Sequence, residues 1–137
     1  MNKSSSIKDT IIIFFIILVF IAVILVFYTE IIKKNNVNTA KKNFYIVKNQ
    51  ILEEIKNCKE INRSLIFSDS CKKNLSKEII SIYFNKTKKL INPYSGGEGV
   101  NENPGSVLIN IKDKILFISI DIDANGGIDI EQSIDIE

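Results

Sequence analysis

Two rhythms of apolar residues follow one another in this chain. From Thr10 to Tyr28 it reads TIIIFFIILVFIAVILVFY, with no charged residue. From Val37 the apolar positions fall at Val37, Ala40, Phe44, Val47, Ile51, Ile55 and Cys58, in steps of three and four. That spacing is one stripe of an amphipathic helix. Lys41, Lys42, Lys48, Glu53, Glu54 and Lys56 fall off the stripe, and neither Pro nor Gly interrupts Tyr28 to Val37. The pattern predicts one helix from about Thr10 to Cys58, with Asn35-Asn36 its weakest point.

A second, shorter helix is expected over Lys72 to Lys88, with Leu75, Ile79, Ile82 and Tyr83 on its apolar face. Next comes NPYSGGEG, then Asn103-Pro104-Gly105, a loop by its turn residues. Three period-two runs complete the chain. Val107, Ile109 and Ile111 alternate with Leu108, Asn110 and Lys112; Leu116, Ile118, Ile120 and Ile122 form one apolar face; Ile128, Ile130, Ile134 and Ile136 alternate with polar residues. Lys112-Asp113-Lys114 and Asn125-Gly126-Gly127 stand where hairpin turns belong. The expected fold is α+β: a long N-terminal helix, membrane half plus amphipathic half, packed on a small three-stranded antiparallel sheet, with a short second helix. A lone three-stranded sheet with one apolar face needs cover, and the helical stripe supplies it.

The uncharged run spans about 28 Å as a helix, against a hydrocarbon core of about 30 Å. The expected division is a tail over 1–9, a transmembrane helix over 10–28 and one domain over 29–137. A cleaved signal peptide is the competing reading, but TEIIKKNN after Tyr28 offers no small-x-small cleavage site. On orientation two signals oppose each other. Lys33, Lys34, Lys41 and Lys42 follow the span, which by the positive-inside rule would hold the domain in the cytoplasm. The two cysteines point the other way, and the expectation is tail inside, domain outside.

The net charge of the 137 residues is only +2, and the positive charge is 17 Lys against the single Arg63. So weak a field and so little Arg argue against nucleic acid as a partner. No histidine is present, which removes the commonest general base and metal ligand. No serine has a histidine partner, and nothing predicts a cleft or a small-molecule substrate. The chain is expected not to be an enzyme.

Cys58 and Cys71 are the only cysteines. In an oxidising compartment they would close a small loop, stabilising by about 3 kcal/mol; the alternative is two unrelated buried thiols. Asp121, Asp123, Asn125 and Asp129, with Gly126 between, match the start of a calcium loop. Gln132 stands where the bidentate Glu is required, however, and the flanks are strands. Two readings therefore stand: a hairpin turn built from Asp, Asn and Gly, or a weak structural calcium site. No other cofactor is expected. Asn62-Arg-Ser64, Asn74-Leu-Ser76 and Asn85-Lys-Thr87 match glycosylation acceptors, a frequency near chance in an Asn-rich chain.

The order of parts resembles type IV pilins and the pseudopilins of type II secretion systems. KNFYIVKNQILEEIKNC, the second cysteine at 71, INPYSGGEGV and PGSVLINIKDKILFISI are similar in order and spacing to small two-cysteine bacterial pilins. The resemblance implies a single-pass protein of the bacterial inner membrane with a periplasmic or extracellular domain. It implies a structural subunit of a pilus or secretion filament, partnered by lipid and by its own or other pilin subunits. One departure stands out: before the apolar run the chain reads SSSIKDTIII, without the Gly-Phe-Thr-Leu-x-Glu prepilin site, and Asp9 is the only acid there. The alternative is a non-polymerising single-pass accessory protein of a membrane complex.

Overall fold

The computed structural model describes the backbone over residues 3–61 and 76–136, and side chains over 7–60 and 76–136. The element order is α1 (Lys3–Ile61), α2 (Lys77–Ile82), a π-helical turn (Tyr83–Thr87), β1 (Val107–Lys112), β2 (Ile115–Ile120) and β3 (Ile130–Asp135). The fold is α+β, with a long first helix, a short second helix and a three-stranded antiparallel sheet of order β1-β2-β3. The chain divides into two units, Met1–Asn35 and Asn36–Glu137.

In the first unit α1 carries the apolar run. Its large apolar side chains from Ile11 to Tyr28 are between 46% (Val23) and 67% (Phe15) exposed. A helix apolar on every side needs an apolar surrounding all round, and among the described residues these side chains are left exposed. Among the described residues this is the one helix long and apolar enough to cross a membrane.

In the second unit the amphipathic half of α1 meets the sheet. Ala40, Phe44, Val47 and Ile51 are buried to within 1% and join Val107, Ile109, Leu116, Ile118, Ile120 and Ile134 in one core. Each large apolar side chain buried this way contributes about 1.5–3 kcal/mol. The register places Ile109 opposite Ile118 and Ile111 opposite Leu116, with Leu116 opposite Ile134. Alternate positions therefore present one apolar face to α1. The β1–β2 hairpin turns on Asp113 and Lys114, with φ of 49° and 68°. Two consecutive left-handed residues make the type I′ turn that matches strand twist.

Three details differ from expectation. Glu54, placed off the stripe by its charge, is 2% exposed and accepts from Gln50 Nε2 at 3.2 Å. The three-and-four spacing from Val47 through Ile51 puts position 54 toward the core whatever residue stands there. On the second helix Ile80 and Phe84 are the buried pair, whereas Ile79 and Ile82 are 44% and 53% exposed. Ile79, Ile80, Ile82, Tyr83 and Phe84 are all apolar, so periodicity alone left two faces open and packing chose. The helix also ends in a π turn, closed by Lys88 N–H donating to the Tyr83 carbonyl at 3.2 Å. Finally, β3 begins at Ile130, and Ile128 is 61% exposed within the turn.

Candidate functional site

Three asparagines hold the breaker-rich segment between the π turn and β1. Asn92 is fully buried. Its Nδ2 donates to the Pro104 carbonyl at 2.9 Å and to Ser106 Oγ at 2.8 Å. Its Oδ1 accepts from the N–H of Tyr94 at 2.8 Å and of Ser95 at 3.3 Å. One carboxamide thus satisfies both sides of the loop, as a buried amide must. Asn85, in the π turn, donates to the Val100 carbonyl and accepts from the Val100 N–H. Asn43 on α1 donates to the Ile91 carbonyl at 2.9 Å and ties the helix to the same loop. In the sequence Asn85 stood out only as an acceptor match and Asn92 only as a turn residue, and neither pattern foretold these bonds. For Asn43 the one available signal was a polar residue beside a core position, Asn43 before Phe44.

The acidic turn follows β2. One carboxylate oxygen each from Asp121, Asp123 and Asp129 lies within 4.8 Å of the others. Backbone donors already meet these oxygens. Asn125 N–H donates to Asp121 Oδ1 at 3.1 Å and to Asp123 Oδ1 at 3.3 Å, and Gly126 N–H to Asp121 Oδ2 at 2.6 Å. Ile122 N–H donates to Asp129 Oδ2 at 2.7 Å. Asn125 Oδ1 is turned to the Gly127 N–H at 2.8 Å. The arrangement is a turn capped by its own side chains. Gln132 and Glu131 both lie in β3, Gln132 with Nε2 donating to the Ser133 carbonyl at 3.3 Å.

Tyr94 joins loop and turn: its hydroxyl donates to the Ile122 carbonyl at 2.6 Å. Burial, and then the charges of Asp123, Asp121 and Asp129, push its phenol above the ordinary tyrosine range. Both causes disfavour a phenolate.

No family model, curated protein or solved structure matches the chain.

The functional reading therefore rests on the chain's own geometry. Cys58 lies half-buried near the end of α1, and there is no free cysteine among the described residues. Its expected partner Cys71 lies outside those residues, as do Leu75 and the acceptor asparagines at 62 and 74. The third acceptor, Asn85, has its amide engaged by Val100 on both sides.

Proposed function

We propose that the chain is a membrane-anchored structural subunit of a pilus-like or pseudopilus-like filament, with its domain outside the cytoplasmic membrane. One observation carries this reading. A single helix, α1, holds an uncovered apolar stretch in its first half and the core-forming stripe Ala40–Ile51 in its second. A chain built this way joins a lipid-embedded segment to a folded domain without a linker. It suits a subunit whose apolar segments pack together in an assembly, where small gains at each contact repeat along the filament.

Other features fit. A Cys58–Cys71 pair would close the end of α1 in an oxidising compartment and so stand on the outer side. The described residues that carry polar chemistry, Asn43, Asn85, Asn92 and the acidic turn, are spent on backbone groups of the loop and hairpin. That is the use expected of a structural module, not of an enzyme or a cofactor protein. We read the Asp121–Gly127 turn as self-capped, with no ion required.

A second reading is favoured by the missing prepilin site: a single-pass accessory protein that never polymerises. The intact mass of the chain extracted from its native membrane separates the two. A mature mass lacking Met1 to about Ser6 supports the filament subunit. A full-length mass overturns processed assembly and favours the accessory protein.

A further inference from the structure

Charge is segregated along this nearly neutral chain. Residues 1–89 carry 16 Lys or Arg against 7 Asp or Glu, and residues 90–137 carry 2 against 9. Within the folded unit this gives two surfaces of opposite sign. On α1, Lys41, Tyr45, Lys48, Leu52 and Lys56 each directly follow a position of the core stripe. They form a second stripe turned by about 100° around the helix. It holds three lysines, of which Lys56 pairs with Glu60 at 3.8 Å, and Tyr45 and Leu52 leave 50% and 41% of their surface in solvent between them. On the sheet, α1 covers the face of Ile109, Leu116 and Ile134. Glu131, Ser133 and Asp135 alternate onto the other face, beside Phe117, whose register partner is Ser133, with Lys112 on the far strand of that face.

We propose that the lysine stripe of α1 docks the acidic outer sheet face of a second copy of this chain. The occupant follows from complementarity of sign, apolar content and spacing. Lys48 and Lys56 are about 12 Å apart along a helix, and Glu131 and Asp135 are about 13 Å apart along a strand. Leu52 lies between the lysines as Phe117 lies beside the midpoint of the acids. Within one copy the core stripe of α1 packs on the apolar face of the sheet, opposite the face of Glu131 and Asp135, so the proposed contact is one between copies. Such a contact is head-to-tail: each copy offers one surface of each kind, and addition continues along a line. The inference rests on the filament reading and names its repeating contact.

The test uses the full chain in membrane vesicles, with unlabelled and isotopically heavy protein mixed before zero-length amine–carboxylate cross-linking. The expected result is a Lys48–Glu131 cross-linked peptide of mixed isotope, with K48E lowering assembly roughly tenfold or more and K48E/E131K restoring it, because opposed like charges repel. Raising the salt from 0.1 to 1 M weakens the wild-type contact, since the screening length falls to about 3 Å. Filaments that survive K48E unchanged, without the mixed cross-link, overturn the inference and leave the filament reading standing. The mixed cross-link without filaments supports the contact and removes the filament. Protection of Lys41 and Lys48 from acylation only in anionic vesicles assigns the stripe to lipid headgroups and overturns the proposal.

Discussion

Asn85 and Val100 meet in both directions: Asn85 Nδ2 donates to the Val100 carbonyl at 2.8 Å, and the Val100 N–H donates to Asn85 Oδ1 at 2.9 Å. The side chain stands in for a neighbouring strand at a residue only 1% exposed. Asn85→Asp keeps the acceptor but turns a carboxylate oxygen toward the Val100 carbonyl. Asn85→Ala leaves both Val100 groups unmatched. Each unmatched buried group costs about 1–3 kcal/mol, so both variants are expected to destabilise, and Asp no less than Ala. Denaturant titration of the two variants checks it. An Asp variant as stable as wild type would show that the pairing contributes nothing.

Gly105 has φ of 81°, and a methyl group there would stand 2.5 Å from Tyr94 Cδ2 and 3.2 Å from Asn92 Oδ1. Gly105→Ala therefore combines left-handed strain with displacement of the ring that reaches Ile122. Left-handed strain alone costs about 1–2 kcal/mol. The expected result is a loss of at least that size, with Tm lower by roughly 4–8 °C per kcal/mol in a domain of this size. Gly126, also left-handed but with open space around its Cβ, should lose less on the same change.

Tyr94 predicts a pH dependence. Its folded phenol is raised by burial and by the three Asp charges. Below the ordinary tyrosine pKa of about 10 both states are protonated and its contribution is complete. As pH rises past that value the unfolded chain releases the proton while the folded chain keeps it, so stability falls until the folded group titrates. Wild type is expected to lose more stability than Tyr94→Phe between pH 9 and pH 11, read as the difference in Tm. Equal losses would mean that Tyr94 titrates normally.

If Cys58 and Cys71 are paired, reduction frees a short loop and removes about 3 kcal/mol. Scanning calorimetry with and without reductant should then show a Tm difference of roughly 12–24 °C. Identical scans, with two thiols open to alkylation, would remove the cysteine argument for an outer domain.

The sequence was legible where one pattern had one outcome. The uncharged run, the stripe from Ala40 to Ile51 and the alternation in β1 and β2 each read directly onto the structure, because period and hydrophobicity agree there. The readings that failed did so where local pattern was degenerate. Five apolar residues among Ile79–Phe84 left the buried face to packing, and the charge at Glu54 hid a position that geometry places inward. The loop was recognisable from its Pro and Gly, but its architecture was not. Asn43, Asn85 and Asn92 act across 48, 15 and 12 residues, beyond any local window. The acidic turn was legible as a turn, and its carboxylates take backbone donors that only coordinates assign.

The filament is tested most directly by shearing cells that express the chain and imaging the supernatant with an antibody to the folded domain. The protein is expected in the sheared, pelletable fraction as thin filaments decorated along their length. Protein that stays wholly in the membrane fraction after shearing, and extracts from it as a single copy, would contradict a polymerising subunit and leave the non-polymerising accessory protein.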